Sequence, residues 1–459
     1  MIKKNTIGVF GLGNMGAGLA KNFIRNKISV SVYNRITKAE MNIIPDFLKE
    51  YNSKNVLGFT NISDFVNSLK RPRIILLLIP SGNIIDESIY NLKKLLNNND
   101  IIVDCGNSYF KNSKNRSEKL LKKNIFYTDC GISGGPKGAE NGPSIMIGGS
   151  KKTSIKLEKL FKKICAKDIS NNPCCGFMGG IGSGHYIKMI HNGIEYAEMK
   201  LLTEVFTILK LKYNYLEISK IFHKWNKGKN KSYLLEATRK ILLKKDVKKK
   251  YILDSIDNKA KGKGSGKWCA IESLNLDLYN SLTISSVLSR NISNKPRLFA
   301  ERKKIKSSND LKLEVLEDAL YMARIINHYQ GFELIQVASK KYNWKIQNSK
   351  VSKIWSNGSI LSSSLLNVIS NLFKENHNLF DIDSLLNDMK LKETQLKKVI
   401  KYSVDNNLPI DNFSSAYNFW MSITTENLNS NLIQAQRDFF GKHGFLNLTN
   451  NKVESANWI

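Results

Sequence analysis

The segment Gly11-Leu12-Gly13-Asn14-Met15-Gly16 constrains this chain more than any other feature. It follows an apolar run, Ile7 to Phe10, and opens a stretch of helical period. That context raises a weak G-x-G-x-x-G match to a strong one. The glycines permit a tight turn and let backbone approach a pyrophosphate, which a helix N-terminus attracts with free N–H groups and partial positive charge. A dinucleotide-binding βαβ unit, rather than a plain tight turn, is expected at the start of the chain.

Further short apolar runs at Ser29 to Tyr33, Ile74 to Ile79, Ile101 to Asp104 and Phe126 to Cys130 alternate with amphipathic stretches. They predict a largely parallel sheet covered by helices, from Thr6 to about Cys175. The glycine-rich segment Gly176 to Gly184 marks a boundary. Beyond it long helical-period stretches take over, such as His185 to Lys210 and Leu311 to Lys341. The expected architecture is an α/β Rossmann-type N-terminal domain over residues 1–180, a large all-α domain over 181–424 and a C-terminal tail over 425–459, since 459 residues exceed one ordinary core.

The run Ile74 to Ile79 stops at Pro80, far short of the roughly 20 residues that cross a bilayer. No membrane partner and a cytoplasmic location are expected. The six cysteines form neither a C-x-x-C pair nor a zinc-like Cys/His spacing, so no metal and no disulfide framework are expected. A net charge of +32 is an electrostatic footprint of nucleic-acid binding. Its distribution argues against that: 60 of the 71 basic residues are lysines strewn along the whole chain, with no accompanying recognition motif. A positive field would instead speed encounter with an anionic substrate.

Where an NAD site would end its second strand with a carboxylate, this sequence reads Val32-Tyr33-Asn34-Arg35. Arginine suits a 2′-phosphate that a carboxylate would repel, and with only 11 arginines in the chain it is not background. NADP is therefore expected over NAD.

The densest chemical signal runs from Gly184 to Tyr196. At about 100° per residue Lys188, His191, Asn192 and Glu195 share one face of a helix, among Ile187, Met189, Ile190 and Ile194. A solvent-facing stripe with i, i+4 pairs is the plain alternative, but His and Asn are poor choices for one. An amine of lowered pKa and a carboxyl can divide proton work as base and acid if both are partly buried. Asn107 and Ser133-Gly134-Gly135 follow predicted strands, at the edge where open α/β sheets bind ligands. Lys263-Gly-Ser265-Gly-Lys267-Trp268 lacks the preceding strand of a Walker motif but offers an amine and a hydroxyl to a phosphate, and Arg290 and Arg437 could add forked donors.

On Gly11 to Gly16, Asn34-Arg35, Gly106-Asn107-Ser108, Ile132 to Gly135, Lys188 to Tyr196, Lys263 to Trp268 and Gln434 to His443, the sequence resembles the 6-phosphogluconate dehydrogenase family over nearly its full length. The resemblance implies oxidation of 6-phosphogluconate at C3 with NADP, loss of CO2 from the 3-keto acid and protonation of the enediol to ribulose 5-phosphate, without a metal. It makes Lys188 the general base and Glu195 the acid that protonates C1. Asn107, Ser133, Gly134, Gly135, His191 and Asn192 would hold the sugar acid, and Tyr196, Lys263, Ser265 and Arg290 its phosphate. Gly11, Leu12, Gly13, Asn14, Met15, Gly16, Asn34, Arg35, Ile36, Ile79 and Asn107 would line the cofactor site. Arg437 and His443 would complete the site of a second subunit, so the resemblance also implies a homodimer with exchanged tails. Ile36 and Pro80 depart from the family pattern beside the cofactor. The alternatives are another β-hydroxyacid dehydrogenase, which would not need the phosphate residues, and a basic RNA-binding protein on the same scaffold, which would not need Lys188 and Glu195.

Overall fold

The computed structural model describes residues 4–51, 55–298, 310–375 and 378–458. Eight short strands form one sheet: β1 (Ile7–Phe10), β2 (Val30–Tyr33), β3 (Val56–Phe59), β4 (Ile74–Leu77), β5 (Ile101–Asp104), β6 (Phe126–Ser133), β7 (Ser144–Gly148) and β8 (Cys175–Gly179). Their order is β3-β2-β1-β4-β5-β6-β7-β8. Every pairing is parallel except that of β6 with β7. The order reverses between β1 and β4, which opens a crevice at the carboxyl ends of the strands, where such sheets take ligands.

Helices α1 (Asn14–Arg25), α2 (Ile43–Glu50), α3 (Ile62–Asn67), α4 (Asn83–Lys93), α5 (Phe110–Leu121), α6 (Gly135–Asn141) and α7 (Lys151–Phe161) punctuate the strands. The apolar runs stay continuous because both faces are covered. Ile74 and Leu76 join Val9, Leu19 and Phe23 on one face, while Ile75 and Leu77 join Phe65 and Ile85 on the other.

The glycine-rich segment expected as a boundary is in part strand, because Gly176 to Gly179 lie inside β8. Glycine there answers close packing: a Cβ on Gly176 would stand 2.6 Å from Lys350 Cε, and one on Gly179, whose φ is +144°, 2.7 Å from the Trp344 carbonyl oxygen.

The rest of the chain is helical: α8 (Ser183–Leu209), α9 (Tyr215–Trp225), α10 (Tyr233–Leu243), α11 (Ser265–Asn275), α12 (Ser281–Ser293), α13 (Leu313–Lys341), α14 (Asn348–Trp355), α15 (Ser364–Glu375), α16 (Asp383–Asp405) and α17 (Asp411–Thr424). One core runs from Phe110, Met146 and Met178 beside the sheet through α8 and α13 to Trp355 and Trp420. The two long helices are tied by the buried Arg324, which donates to Glu198 Oε2 at 2.8 Å and to the Asn230 carbonyl at 3.2 Å. Among the described residues no helix is long and apolar enough to cross a membrane.

The tail forms α18 (Ser430–Gly441) and a small antiparallel pair, β9 (Phe445–Asn447) and β10 (Lys452–Glu454). Asp438 organises it, accepting hydrogen bonds from Gly444 N, Ser455 Oγ, Ala456 N and Trp458 Nε1 at 2.7–3.0 Å.

Two helix starts are capped from a distance. Asp129 on β6 accepts from Gly182 N at 2.7 Å and His185 N at 2.9 Å, satisfying the first turn of α8. Glu204 of α8 likewise accepts from Asn412 N at 2.8 Å and Phe413 N at 3.0 Å at the start of α17. Burial pushes the Glu204 carboxyl up to about 7, against the opposing pull of Lys200. A carboxyl raised in the folded state contributes stability that is present below its unfolded pKa and fades as pH rises through the folded one. Wild type should therefore lose about 3 kcal/mol more than Glu204→Gln between pH 4.5 and pH 7.5. Urea unfolding across that range checks this, and identical slopes would contradict it.

Candidate active site

The crevice begins at the turn after β1. Gly11 has φ +100°, and a Cβ there would stand 2.6 Å from Ile79 Cγ2 and 2.7 Å from the Leu78 carbonyl oxygen. A Cβ on Gly16 would reach 1.9 Å from the Gly11 carbonyl oxygen, whereas one on Gly13 meets nothing within 4 Å. The first and third glycines thus close the turn, and the second leaves open space where a phosphate can approach. No side chain caps α1 at Gly13, so the N–H groups of Asn14, Met15 and Gly16 remain available to an anion. Asn34 pins the turn to the end of β2, its Oδ1 accepting from Leu12 N at 3.1 Å. Arg35 follows, 64% exposed, its Nε donating to Glu40 at 2.9 Å. Ile36 is exposed beside it, and Ile79 lies half-buried across the turn. These residues fit the phosphates and adenosine end of a dinucleotide.

The turn after β5 adjoins the turn after β4 that carries Ile79, because a Cβ on Gly106 would lie 3.2 Å from the Ile79 carbonyl oxygen. It presents Asn107, exposed, at the mouth of a narrow cleft shared with Ser108, His185, Lys188, Asn192, Ser265 and Trp268. The cleft floor is α8. Its first turns press onto β6 and β7 because Gly131, Gly148 and Gly184 carry no Cβ: one on Gly131 would stand 2.6 Å from Lys188 Cβ, and one on Gly184 2.6 Å from the Asp129 carbonyl oxygen.

That contact takes Lys188 out of water, leaving it 8% exposed. Burial pulls its amine down to about 8, opposed by the Glu195 carboxyl. His191 is fully buried between the two, its Nδ1 3.5 Å from Lys188 Nζ and 3.6 Å from Glu195 Oε2. Its Nε2 shares a 2.9 Å hydrogen bond with Ser133 Oγ. Burial, and then the Lys188 charge, hold the imidazole well below its usual range, so it is neutral. The Glu195 carboxyl, 22% exposed, is pushed up by burial against the pull of Lys188 and Arg290. An amine lowered and a carboxyl raised on one helix face can divide proton transfer between a base and an acid.

Around the pair, Asn192 Nδ2 donates to Ser265 Oγ at 3.0 Å, joining α8 to the start of α11. Arg290 lies over the Tyr196 ring, its Cζ 3.5 Å from the ring centre. Lys263 is exposed just before α11. Gly134 and Gly135 form the left-handed start of α6, with φ +118° and +63°. Arg437 and His443 stand apart: among the described residues the hydrogen bonds of residues 430–458 stay within the tail.

Ser108 and Trp268 lie in the sequence motifs without an assigned role, whereas His185, and the buried Asp104 and Arg116 behind it, are not singled out by the sequence. His185 precedes Lys188 by one turn, a spacing that placed it on the same face. Asp104 ends an apolar strand with a charge, a signal that something must pair with it inside.

Residues 6–180 match the "NAD binding domain of 6-phosphogluconate dehydrogenase", and residues 184–458 match "6-phosphogluconate dehydrogenase, C-terminal domain". A decarboxylating 6-phosphogluconate dehydrogenase of Buchnera aphidicola subsp. Schizaphis graminum is 38% identical, with 99% of this chain and 98% of the relative covered. The NADP(+)-dependent decarboxylating enzyme of Bacillus subtilis is 37% identical over the whole of both chains. The solved Plasmodium falciparum 6-phosphogluconate dehydrogenase, described as apo and in complex with its cofactor NADP+ and its substrate 6-phosphogluconate, superposes with a TM-score of 0.90 at 34% identity, covering 99% of this chain and 100% of that one. With a nucleotide turn, a tuned lysine and relatives that match end to end, this chain belongs to the 6-phosphogluconate dehydrogenase family.

Proposed function

We propose that the chain oxidatively decarboxylates 6-phosphogluconate to ribulose 5-phosphate and CO2 with NADP. The observation that carries the reading is the buried Lys188 amine, held near pH 8 and joined through neutral His191 to the raised carboxyl of Glu195. Bound NADP supplies the hydride acceptor for C3. The first turn of α1 would hold its pyrophosphate and Arg35 its 2′-phosphate, Arg35 trading part of its bond to Glu40 for the new anion.

In this reading neutral Lys188 removes the C3 hydroxyl proton as oxidation proceeds. The resulting ammonium returns that proton to the keto oxygen while CO2 leaves, and Glu195 protonates C1 of the enediol as neutral Lys188 takes back the hydroxyl proton and the ketone of ribulose 5-phosphate forms. His191, hydrogen-bonded to Ser133, keeps base and acid at fixed spacing, and its neutrality avoids a third charge in the cleft. Asn107, Ser133, Gly134, Gly135 and Asn192 hold the sugar acid, while Tyr196, Lys263, Ser265 and Arg290 take its phosphate. Stacked on Tyr196, Arg290 keeps its planar fork oriented.

The tail, residues 425–459, serves a second copy in the same reading, so that Arg437 and His443 close the partner's phosphate site in a homodimer. Support comes from a tail whose own hydrogen bonds are internal while Phe439 and Phe440 are 57% and 74% exposed. Large apolar side chains displayed this way mark a surface meant for cover.

Three outcomes test the reading. Absorbance near 340 nm should rise with CO2 release, and kcat/KM for NADP should exceed that for NAD by about tenfold or more, the scale of a charged hydrogen bond; equal use of both cofactors would remove Arg35 from its role. Lys188→Met should lower kcat by at least about 10³-fold while calorimetry shows NADP still bound, as expected for a lost general base; near-normal turnover rules the role out. Truncation before Gln434 should raise the KM for 6-phosphogluconate about tenfold or more through the lost charged contacts, and unchanged kinetics would defeat tail exchange.

A further inference from the structure

A single buried guanidinium joins the turn that faces the cofactor to the turn that faces the substrate. Arg116 on α5 is 3% exposed. Its Nε donates to Asp86 Oδ1 at 2.8 Å and its Nη2 to Asp86 Oδ2 at 3.1 Å, a forked grip on the first turn of α4. The same nitrogen reaches the Gly82 carbonyl oxygen at 3.5 Å, at the end of the turn that carries Ile79. On the other side Nη1 donates to Asp104 Oδ2 at 3.1 Å.

Asp104 organises the second turn. Its Oδ2 also accepts from Ser108 Oγ at 2.8 Å and Tyr127 OH at 2.9 Å, and its Oδ1 from Gly106 N at 3.1 Å. The backbone around Asn107 is thereby fixed from both sides. The Asp104 carbonyl oxygen lies 3.0 Å from His185 Nε2, whose Nδ1 shares a 3.1 Å hydrogen bond with Ser113 Oγ. His185 sits one turn before Lys188 on α8. A continuous polar path thus runs from α4, beside the cofactor turn, through Arg116 and Asp104 to the helix that carries the base. Each ligand turn keeps bonds of its own, such as those of Asn34 and Ser108; to the β4–β5 pairing, which ends with Cys105 N donating to the Leu77 carbonyl oxygen at 3.0 Å, Arg116 adds a side chain bonded to both sides.

We infer that Arg116, through its grip on Asp86 and Asp104, is a positioning residue that sets the distance between the cofactor-facing and substrate-facing turns, and with it the approach of substrate C3 to the hydride acceptor. The inference rests on the proposed reaction. If it holds, loosening the grip leaves each ligand able to bind and degrades only their mutual alignment, on which transfer depends steeply.

Asp86 is 54% exposed, so Asp86→Asn weakens the fork with little disturbance of the fold, and Arg116→Lys keeps the charge while removing the fork. Both should lower kcat by about 10- to 100-fold, leave the calorimetric Kd of NADP and of 6-phosphogluconate within threefold of wild type, and enlarge the isotope effect with substrate deuterated at C3. In the ligand-free chain, hydrogen exchange should quicken across residues 78–86 and 104–109 together. Unchanged kcat and exchange in Asp86→Asn, or a kcat loss that follows the unfolded fraction with a constant isotope effect, overturns the inference. The wild-type control separates the two claims: a wild type that turns over beside an unaffected variant removes the positioning role alone, whereas a wild type that binds neither ligand removes the reaction it rests on.

Discussion

The seating of α8 on β6 and β7 is the contact on which the chemistry depends. Helix starts expose N–H groups, and a helix pressed into a sheet must have them satisfied. Asp129 does this from the strand itself, bonding Gly182 N and His185 N, while glycines at 131, 148 and 184 remove the side chains that would hold helix and strands apart. The consequence reaches Lys188, whose stem runs against β6 and whose amine loses most of its water. Desolvation is what makes an ordinary lysine a base near neutral pH.

The sheet and the helical body each contribute something the other lacks. The order reversal between β1 and β4 opens a crevice onto which the nucleotide turn after β1 and the Asn107 turn after β5 both face, but the amine of Lys188 and the carboxyl of Glu195 are not on the sheet. The helices supply it: α8 brings the amine and carboxyl, α11 brings Ser265 and α12 brings Arg290 over Tyr196. Because Phe110, Met146 and Met178 share a core with α8 and α13, the two halves of the site do not slide relative to each other without breaking apolar packing.

Much of this was legible in the sequence, where period and context reinforced one another. The glycine turn stands out between an apolar strand and a helix, and the 3.6-residue spacing of Lys188, His191, Asn192 and Glu195 puts them on one face. Strands β3, β7 and β8 were not read, because Val56-Leu-Gly-Phe59, Ser144-Ile-Met-Ile-Gly148 and Cys175-Gly-Phe-Met-Gly179 dilute apolar residues with glycine or serine, and a strand that short leaves periodicity nothing to count. The glycines of β8 read as part of a domain boundary for the same reason: sequence shows a missing side chain but not the Trp344 and Lys350 that fill its place. The joint role of Asp104, Arg116 and His185 is not legible, because Arg116 and His185 meet Asp104 from 12 and 81 residues away; only the charge that ends β5 and the one-turn spacing of His185 from Lys188 mark two of them locally.

Burial between α8 and β6 lowers the Lys188 amine, and this can be read without substrate or cofactor. Lysines labelled with 13C at Cε are titrated by NMR in the ligand-free chain, with Lys188→Met identifying the resonance. A midpoint near 8 for Lys188 is the predicted result. A midpoint at the ordinary lysine value of about 10.4 would mean that the seat does not tune the base, and the account of the site would fail at its foundation.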